Sequence, residues 1–278
     1  MKTIVTHFSP DIDAITACWL IKRYLPLWNQ AKIEFVAAGT TLDKEQPDIN
    51  PEIIHVDTGM GKFDHHQANN YNSASLLVFD FLVKKKLIRD RSLVALHRMV
   101  DQINGFDHFS ESDFPDPTND RYEFMLHKII EAGLKNKLKD DFLITETVFN
   151  LLDVVFNIFF KKVLAEDEIN QGIVFESKWG KCLAVSGKNE EVVKLGLKSG
   201  FNLVIKKDPD RGNIRIKTQP NKKFDLESIY KEIIKKDKTG TWFLHVSHNM
   251  LLNSSAKNPN FIPTKLSLKE VIEIIKRV

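Results

Sequence analysis

The sequence predicts an α/β protein: an N-terminal domain with a parallel sheet, a helical connector, and a smaller C-terminal α/β domain. Three observations carry the prediction. Short apolar, β-branched runs alternate with helical patterns through residues 1–110. A second alternation begins near residue 181. Between the two, from residue 122 to about 170, the pattern stays helical.

Residues 3–6 (TIVT) are a β-branched apolar run, the signal of a buried strand. The polar loop 7–13 follows. Residues 14–24 read as a helix, with Ile15, Cys18, Trp19 and Ile21 on its apolar face. Residues 33–37 are a second strand and 53–56 a third, which ends on Asp57. Pro47, Asn50 and Pro51 mark the loop between them. Residues 73–86 are a helix with Leu76, Leu77, Phe79, Phe81 and Leu82 inward, and 92–103 a helix carrying Asp101 near its end. The acidic loop 111–120 is rich in turn residues. In the C-terminal part, 181–186 is a strand, 190–198 a helix and 202–206 a strand. Pro209-Asp210-Arg211-Gly212-Asn213 is a strong turn, so 203–206 and 214–217 pair as a hairpin. A helix at 226–235, a strand at 242–246 and a helix at 268–276 complete the chain. The domains expected are 1–120, 121–172 and 173–278.

The chain has 278 residues, of which 42% are hydrophobic and 28% charged, an ordinary globular composition. A net charge of +3 permits a nucleic-acid partner without arguing for one, since a basic footprint depends on clustering. The two cysteines, Cys18 and Cys182, lie far apart, give no disulfide framework and suit a reducing cytoplasm. The first residues lack the apolar run of a signal peptide. The most apolar stretch, 142–164, is interrupted by Thr145, Glu146, Asn150, Asp153, Asn157 and Lys161, so it reads as a buried helix rather than a membrane span. A cytoplasmic protein that contacts no membrane is the expectation.

The chemistry concentrates near the N-terminus. His7-Phe8-Ser9-Pro10-Asp11-Ile12-Asp13 lies after a strand and before a helix, where open α/β sheets collect their ligands. An aspartate there often caps the helix, but a cap needs one oxygen and this loop offers three polar side chains. Asp57 stands at the end of another strand, where a carboxylate can bridge two cations. The fragment Asp64-His65-His66 is the strongest signal, because imidazole and carboxylate hold divalent metals. The two rings point in different directions if the backbone is extended, so one can ligate while the other meets substrate, and Asp64 can orient an imidazole. Asp101 is the last ligand of the set, with Asp107 competing for the place. His7, Asp11 and Asp57 can hold one metal, and Asp13, Asp57, His65 and Asp101 a second. A hard, carboxylate-rich set favours Mn²⁺ or Mg²⁺, and the histidines tilt it toward two Mn²⁺ ions.

At these residues the chain resembles the DHH phosphoesterase superfamily, with RecJ-like exonucleases, oligoribonucleases and manganese pyrophosphatases among its members. His7-x3-Asp11-x-Asp13, Asp57, Asp64-His65-His66 and Asp101 look like its successive motifs. Val56-Asp57-Thr58-Gly59 followed by Phe63-Asp64-His65-His66-Gln67 is also similar to the Myg-type metal-dependent hydrolases, although the first motif has the DHH form. The resemblance covers about residues 1–110. It implies that His7, Asp11, Asp13, Asp57, His65 and Asp101 ligate metal, that His66 contacts the scissile phosphate, and that Asp64 supports from behind. It also implies a C-terminal substrate-binding domain, normally with a glycine-rich GGH-type signature that this chain lacks. His245, His248, Ser254, Ser255 and Lys257 stand in its place as substrate-binding candidates.

The activity this implies is hydrolysis of phosphodiester bonds in short oligonucleotides or nucleotides by a metal-activated water. The alternatives are a pyrophosphatase or small-molecule phosphohydrolase, and a non-catalytic metal- or nucleic-acid-binding protein. The partners expected are a phosphate-containing small molecule or a short nucleic acid, with an oligomer also compatible. Lys206, Lys207, Arg211, Arg215 and Lys217 flank the predicted hairpin, either as a phosphate-tracking surface or as a lysine-protected edge.

Overall fold

Two compact units make up the chain, Met1–Phe160 and Lys161–Val278. The structure is a computed structural model and describes residues 1–221, 223–253 and 260–278. It is mixed α/β, with a parallel sheet in the first unit and a second sheet in the other.

In the first unit, strand β1 (Thr3–His7) is central. β2 (Lys32–Val36) and β3 (Ile53–His55) lie on either side of it, both parallel to it. Ile4 and Val5 are fully buried, as a central parallel strand requires. The order β2-β1-β3 brings the carboxyl ends of β1 and β3 side by side. His7 is the last residue of β1, and Asp57 follows β3 by two.

Helix α1 (Ile12–Tyr24) begins with Asp11 as its cap, whose Oδ1 accepts the Ala14 N–H at 2.9 Å. It is buried along most of its length, including Trp19, as expected for a core tryptophan. Helix α2 (Ala74–Lys84) packs on α1, and Ser73 caps it. Helix α3 (Asp90–Asp107) extends the predicted 92–103 at both ends. Beyond two 3₁₀ turns, the short helices α4 (Leu126–Lys128) and α5 (Lys135–Leu138) flank a π-helical stretch, Ile129–Leu134.

Helix α6 (Asp141–Asn170) spans the division at Phe160. The segment expected as a separate connector does not stand apart, because Ile130, Ile144, Val148 and Leu152 join the core of the first unit. The expectation that 142–164 is simply buried is corrected too. Its inward stripe is covered, while Phe142, Leu143, Val154 and Ile158 are exposed. By length and composition α6 is apolar enough to cross a membrane, and only 22% of its most apolar window is buried.

The second unit holds a mixed sheet of order β4-β5-β6-β7-β9-β8. Its strands are β4 (Ile173–Ser177), β5 (Gly180–Ser186), β6 (Leu203–Lys207), β7 (Ile214–Thr218), β8 (Trp242–Leu244) and β9 (Met250–Asn253). The predicted β6–β7 hairpin is present and antiparallel, but these strands are internal rather than an edge. β4 and β9 have no counterpart in the sequence reading. Helix α7 (Glu191–Lys198) packs on β6; α8 (Glu227–Lys236) and α9 (Leu268–Arg277) complete the unit, α9 with a full capping box.

Candidate metal centre

The chain leaves β3 abruptly. The Val56 N–H still bonds to the Val5 carbonyl, but Asp57 takes a left-handed backbone (φ 55°), and its N–H bonds to Phe63 O at 3.0 Å. Such a conformation costs a non-glycine residue roughly 1–3 kcal/mol. Gly59 follows at φ +80°, where a Cβ would stand 2.8 Å from Thr41 Cγ2, so any side chain there would be strained. The turn sets the Asp57 carboxylate between two imidazoles. Its Oδ2 lies 3.2 Å from His7 Nε2, and its Oδ1 lies 3.2 Å from His65 Nε2.

Asp64 organises the histidine pair. It is 2% exposed, and its carboxylate accepts the Met60 N–H (2.7 Å), the His66 N–H (3.1 Å) and His66 Nδ1–H (2.8 Å). Phe63 is buried beside Phe81 and anchors the fragment in the core. His65 turns inward, whereas the His66 side chain is 57% exposed.

Asp13 has a structural duty. It is 1% exposed, and its two oxygens accept the N–H groups of Ala74 (2.7 Å) and Ser75 (3.0 Å), at the start of α2. A carboxylate there satisfies orphan donors and meets the positive end of the helix dipole. Each oxygen keeps a second lone pair for a cation.

Asp101 does not join the cluster. It is exposed on α3, and Asp107 takes the place instead, with Oδ2 at 3.7 Å from His65 Nε2. The two positions differ by about 240° around a helix axis, so only one can face the site. The buried stripe Leu96, Val100, Ile103 continues at 107, which is the sequence signal that selects between them.

Three overlapping groups result: His7, Asp11 and Asp57; Asp57, His65 and His66; Asp13, His65 and Asp107. Within each, the ligand atoms lie within 4.8 Å of one another. A cavity of about 310 Å³ opens on them, lined by His7, Asp11, Asp57, Asp64, His66 and Asp107 among others.

The electrostatics fit divalent cations. Asp57 Oδ1 is buried, and His65 Nε2 meets it as an ion pair at 3.2 Å rather than as a well-aligned hydrogen bond. Burial pushes the Asp13 carboxyl up to about 7, helped by the charges of Asp57, Asp11 and Asp107. Burial also raises Asp107. Burial alone would raise Asp57 as well, but His65 and His7 outweigh it and hold the group below the usual carboxylate range. Burial works against a charged His7, yet Asp57 and the Phe8 carbonyl raise it to about 9. His65 rises to about 9 chiefly through Asp57. Four carboxylates crowd together here, and once the imidazoles give up their protons the set would supply the donors for a pair of hard cations.

Two neighbours escaped the sequence reading. His108 lies 3.6 Å from Asp107 Oδ2 and packs at a tilt against Tyr71, with ring centroids 4.1 Å apart. His127, 1% exposed, pairs with Glu111 at 2.9 Å and stacks on Phe106. Neither lies in a recognisable motif; His108 directly follows the last residue of α3, and the fold brings His127 to Phe106.

In the second unit, His245 and His248 sit in the turn between β8 and β9. His245 Nδ1 contacts Ser247 Oγ at 2.8 Å, and His248 Nδ1 contacts Asp225 Oδ1 at 3.0 Å. Both rings are thus engaged locally. Ser254, Ser255 and Lys257 lie outside the described residues.

Among solved structures, the chain is similar to RecJ from Thermus thermophilus, crystallised in complex with Mg²⁺, at 12% identity and a TM-score of 0.34. The match covers 99% of this chain and 49% of that one, so the chain spans about half the length of RecJ. It is also similar to the DHH domain of a protein described as a member of a ribosomal-protein family, at 11% identity and a TM-score of 0.33, over 99% of this chain and 86% of that one. No curated protein matches its sequence. The family model described as ChrB, C-terminal domain, matches residues 4–159, which is more than half of the chain and includes every residue of the metal-ligand cluster, and the chain belongs to that family.

Proposed function

We propose that this protein is a metal-dependent phosphoesterase that hydrolyses phosphodiester bonds of short oligonucleotides or nucleotides. Two Mn²⁺ ions are the preferred cofactors, with Mg²⁺ as the alternative. One observation carries the reading: a single buried carboxylate, Asp57, belongs to two ligand groups at once, with one oxygen toward His7 and the other toward His65. His7, Asp11 and Asp57 would hold one ion. Asp13, Asp57, His65 and Asp107 would hold the other.

When bound, such a pair supplies positive charge against a phosphate ester and acidifies water. The chain's own residues do the rest. His66, tethered through Nδ1 to Asp64, keeps Nε2 for a phosphate oxygen. Asp64 has its oxygens engaged by backbone and ring donors, so it positions and does not ligate. The likeness of the His7–Asp13 and Asp64–His66 motifs to the DHH superfamily supports the same assignment, and their likeness to the Myg-type hydrolases is compatible with it. The two buried, widely separated thiols suit a reducing cytoplasm.

A second reading, hydrolysis of pyrophosphate or a small phosphate ester, is favoured by the cavity. About 310 Å³ is at the small end for ligand sites and suits a compact anion. Pyrophosphate, dinucleotides, cyclic dinucleotides and short RNA or DNA, each assayed with Mn²⁺, separate the readings. Full turnover by both Asp57→Ala and His65→Ala would rule out hydrolysis at this centre.

A further inference from the structure

The second unit carries a cavity that owes nothing to the metal centre. It holds about 450 Å³ and lies where the N-terminal turn of α7 meets β7 and β9. Register explains which side chains reach it. Lys206 of β6 pairs with Arg215 of β7, and Lys217 of β7 with Met250 of β9, so these four side chains share one face of the sheet. Helix α7 packs on β6, and the β7–β9 part of the face borders the cavity.

The charges there are arranged rather than scattered. Glu190 takes ion pairs from both Lys206 and Arg215. Lys206 is 1% exposed, and burying an ammonium so deeply is costly without its carboxylate. The pairing therefore holds Glu190 in place, and Glu190 in turn fixes the Arg215 guanidinium at the cavity wall. The trio stays net positive. Lys217 adds a half-buried ammonium with no acidic partner among the described residues, and Arg211 projects from the tight turn closed by Asp208. Met250 and Phe261 supply an apolar wall. A fixed guanidinium and an ammonium without a carboxylate recognise a phosphate group. The apolar wall and a volume far above that of bare phosphate call for a flat apolar body attached to it.

We infer that this cavity binds a nucleoside monophosphate unit, with its phosphate on Arg215 and Lys217 and its base toward Met250. The site shares no residue with the proposed phosphoesterase centre.

The test is titration of the full chain with 5′-AMP in the presence of EDTA, read by calorimetry. Lys217→Ala, at a half-buried position with no internal acidic partner among the described residues, should weaken binding about tenfold or more. Arg215→Lys keeps the charge for Glu190 and should weaken it less. Lys235→Ala on α8 and His65→Ala at the metal centre should leave it unchanged, and adenosine should not compete. A 5′-phosphorylated dinucleotide run in parallel assigns the cavity to a strand end if it binds more tightly, and to a free nucleotide if it does not. The inference is overturned if AMP fails to bind, if inorganic phosphate binds as well as AMP, or if Lys217→Ala binds like the parent. Loss confined to His65→Ala would place the nucleotide at the metal centre instead.

Discussion

Asp57 Oδ1 stands 3.2 Å from His65 Nε2 without the alignment of a hydrogen bond, so a buried carboxylate oxygen is left without a hydrogen-bond partner. The oxygen keeps lone pairs open for a further partner beside that ion pair. Here a divalent cation fits.

Asp57→Asn removes the shared charge from both ligand groups. We expect Mn²⁺ affinity measured by calorimetry to fall at least about a hundredfold, more than for loss of a supporting residue. Unchanged affinity would place the metal elsewhere.

His66→Ala tests the division of labour within the histidine pair. If His66 serves the substrate, the variant keeps its Mn²⁺ affinity and loses hydrolysis by about 10²–10⁴-fold. A parallel loss of metal affinity would make His66 a ligand, as its membership of one group with Asp57 and His65 allows.

Asp107→Ala and Asp101→Ala should behave differently. Asp107→Ala weakens Mn²⁺ binding, since its carboxylate belongs to the His65 group. Asp101→Ala, at an exposed position, changes neither metal binding nor stability by more than about 0.5 kcal/mol.

Asp13→Ala leaves two backbone N–H groups at the start of α2 without their acceptor. Relief of repulsion from Asp57, Asp11 and Asp107 offsets part of the loss. A net destabilisation of about 1–3 kcal/mol in urea unfolding is expected, against about 1 for Asp11→Ala, which loses one cap bond.

The pH dependence of the metal-free protein has a definite sign. His7 and His65 are raised from 6.5 to about 9 in the folded chain. Their stabilising effect is fully present below about 6.5 and is lost as pH rises through about 9. Asp13, raised from 3.8 to about 7, favours the folded state at low pH and withdraws that support as pH rises through about 7. Asp57, held low by the same two histidines, stays ionised throughout this window and adds no titration of its own. The melting temperature in EDTA should therefore fall between about pH 6.5 and 9, and His65→Gln should flatten the fall. Metal binding runs the other way, because a cation must displace those protons, so Mn²⁺ affinity should rise over the same range.

Much of this was legible in the chain. The three parallel strands and the helices after them follow from β-branched runs and 3.6-residue stripes, which are local signals. His7, Asp11, Asp13, Asp57 and the Asp64-His65-His66 fragment stand out in the chain because each lies at a strand end or in a compact motif. Asp101 misled because an aspartate late in a helix looks alike in sequence wherever it faces; the stripe Leu96, Val100, Ile103 held the answer and required the helix to run to 107. β4 and β9 were missed because one has largely outward-facing residues and the other only four, and β9 gains its place through pairing with β7 and β8. Lys206 reads as a surface cation, yet its strand is internal and its charge is held by Glu190.

By itself the sequence determined the fold class and the residue types gathered at the N-terminal strand ends, because periodicity and motif spacing are properties of neighbouring residues. Only the tertiary structure decided which carboxylate completes the cluster, that Asp13 also secures the start of α2, and that Asp57 is shared between His7 and His65. Those outcomes depend on helix phase, strand order and the left-handed turn at Asp57, which bring together side chains separated by tens of residues along the chain.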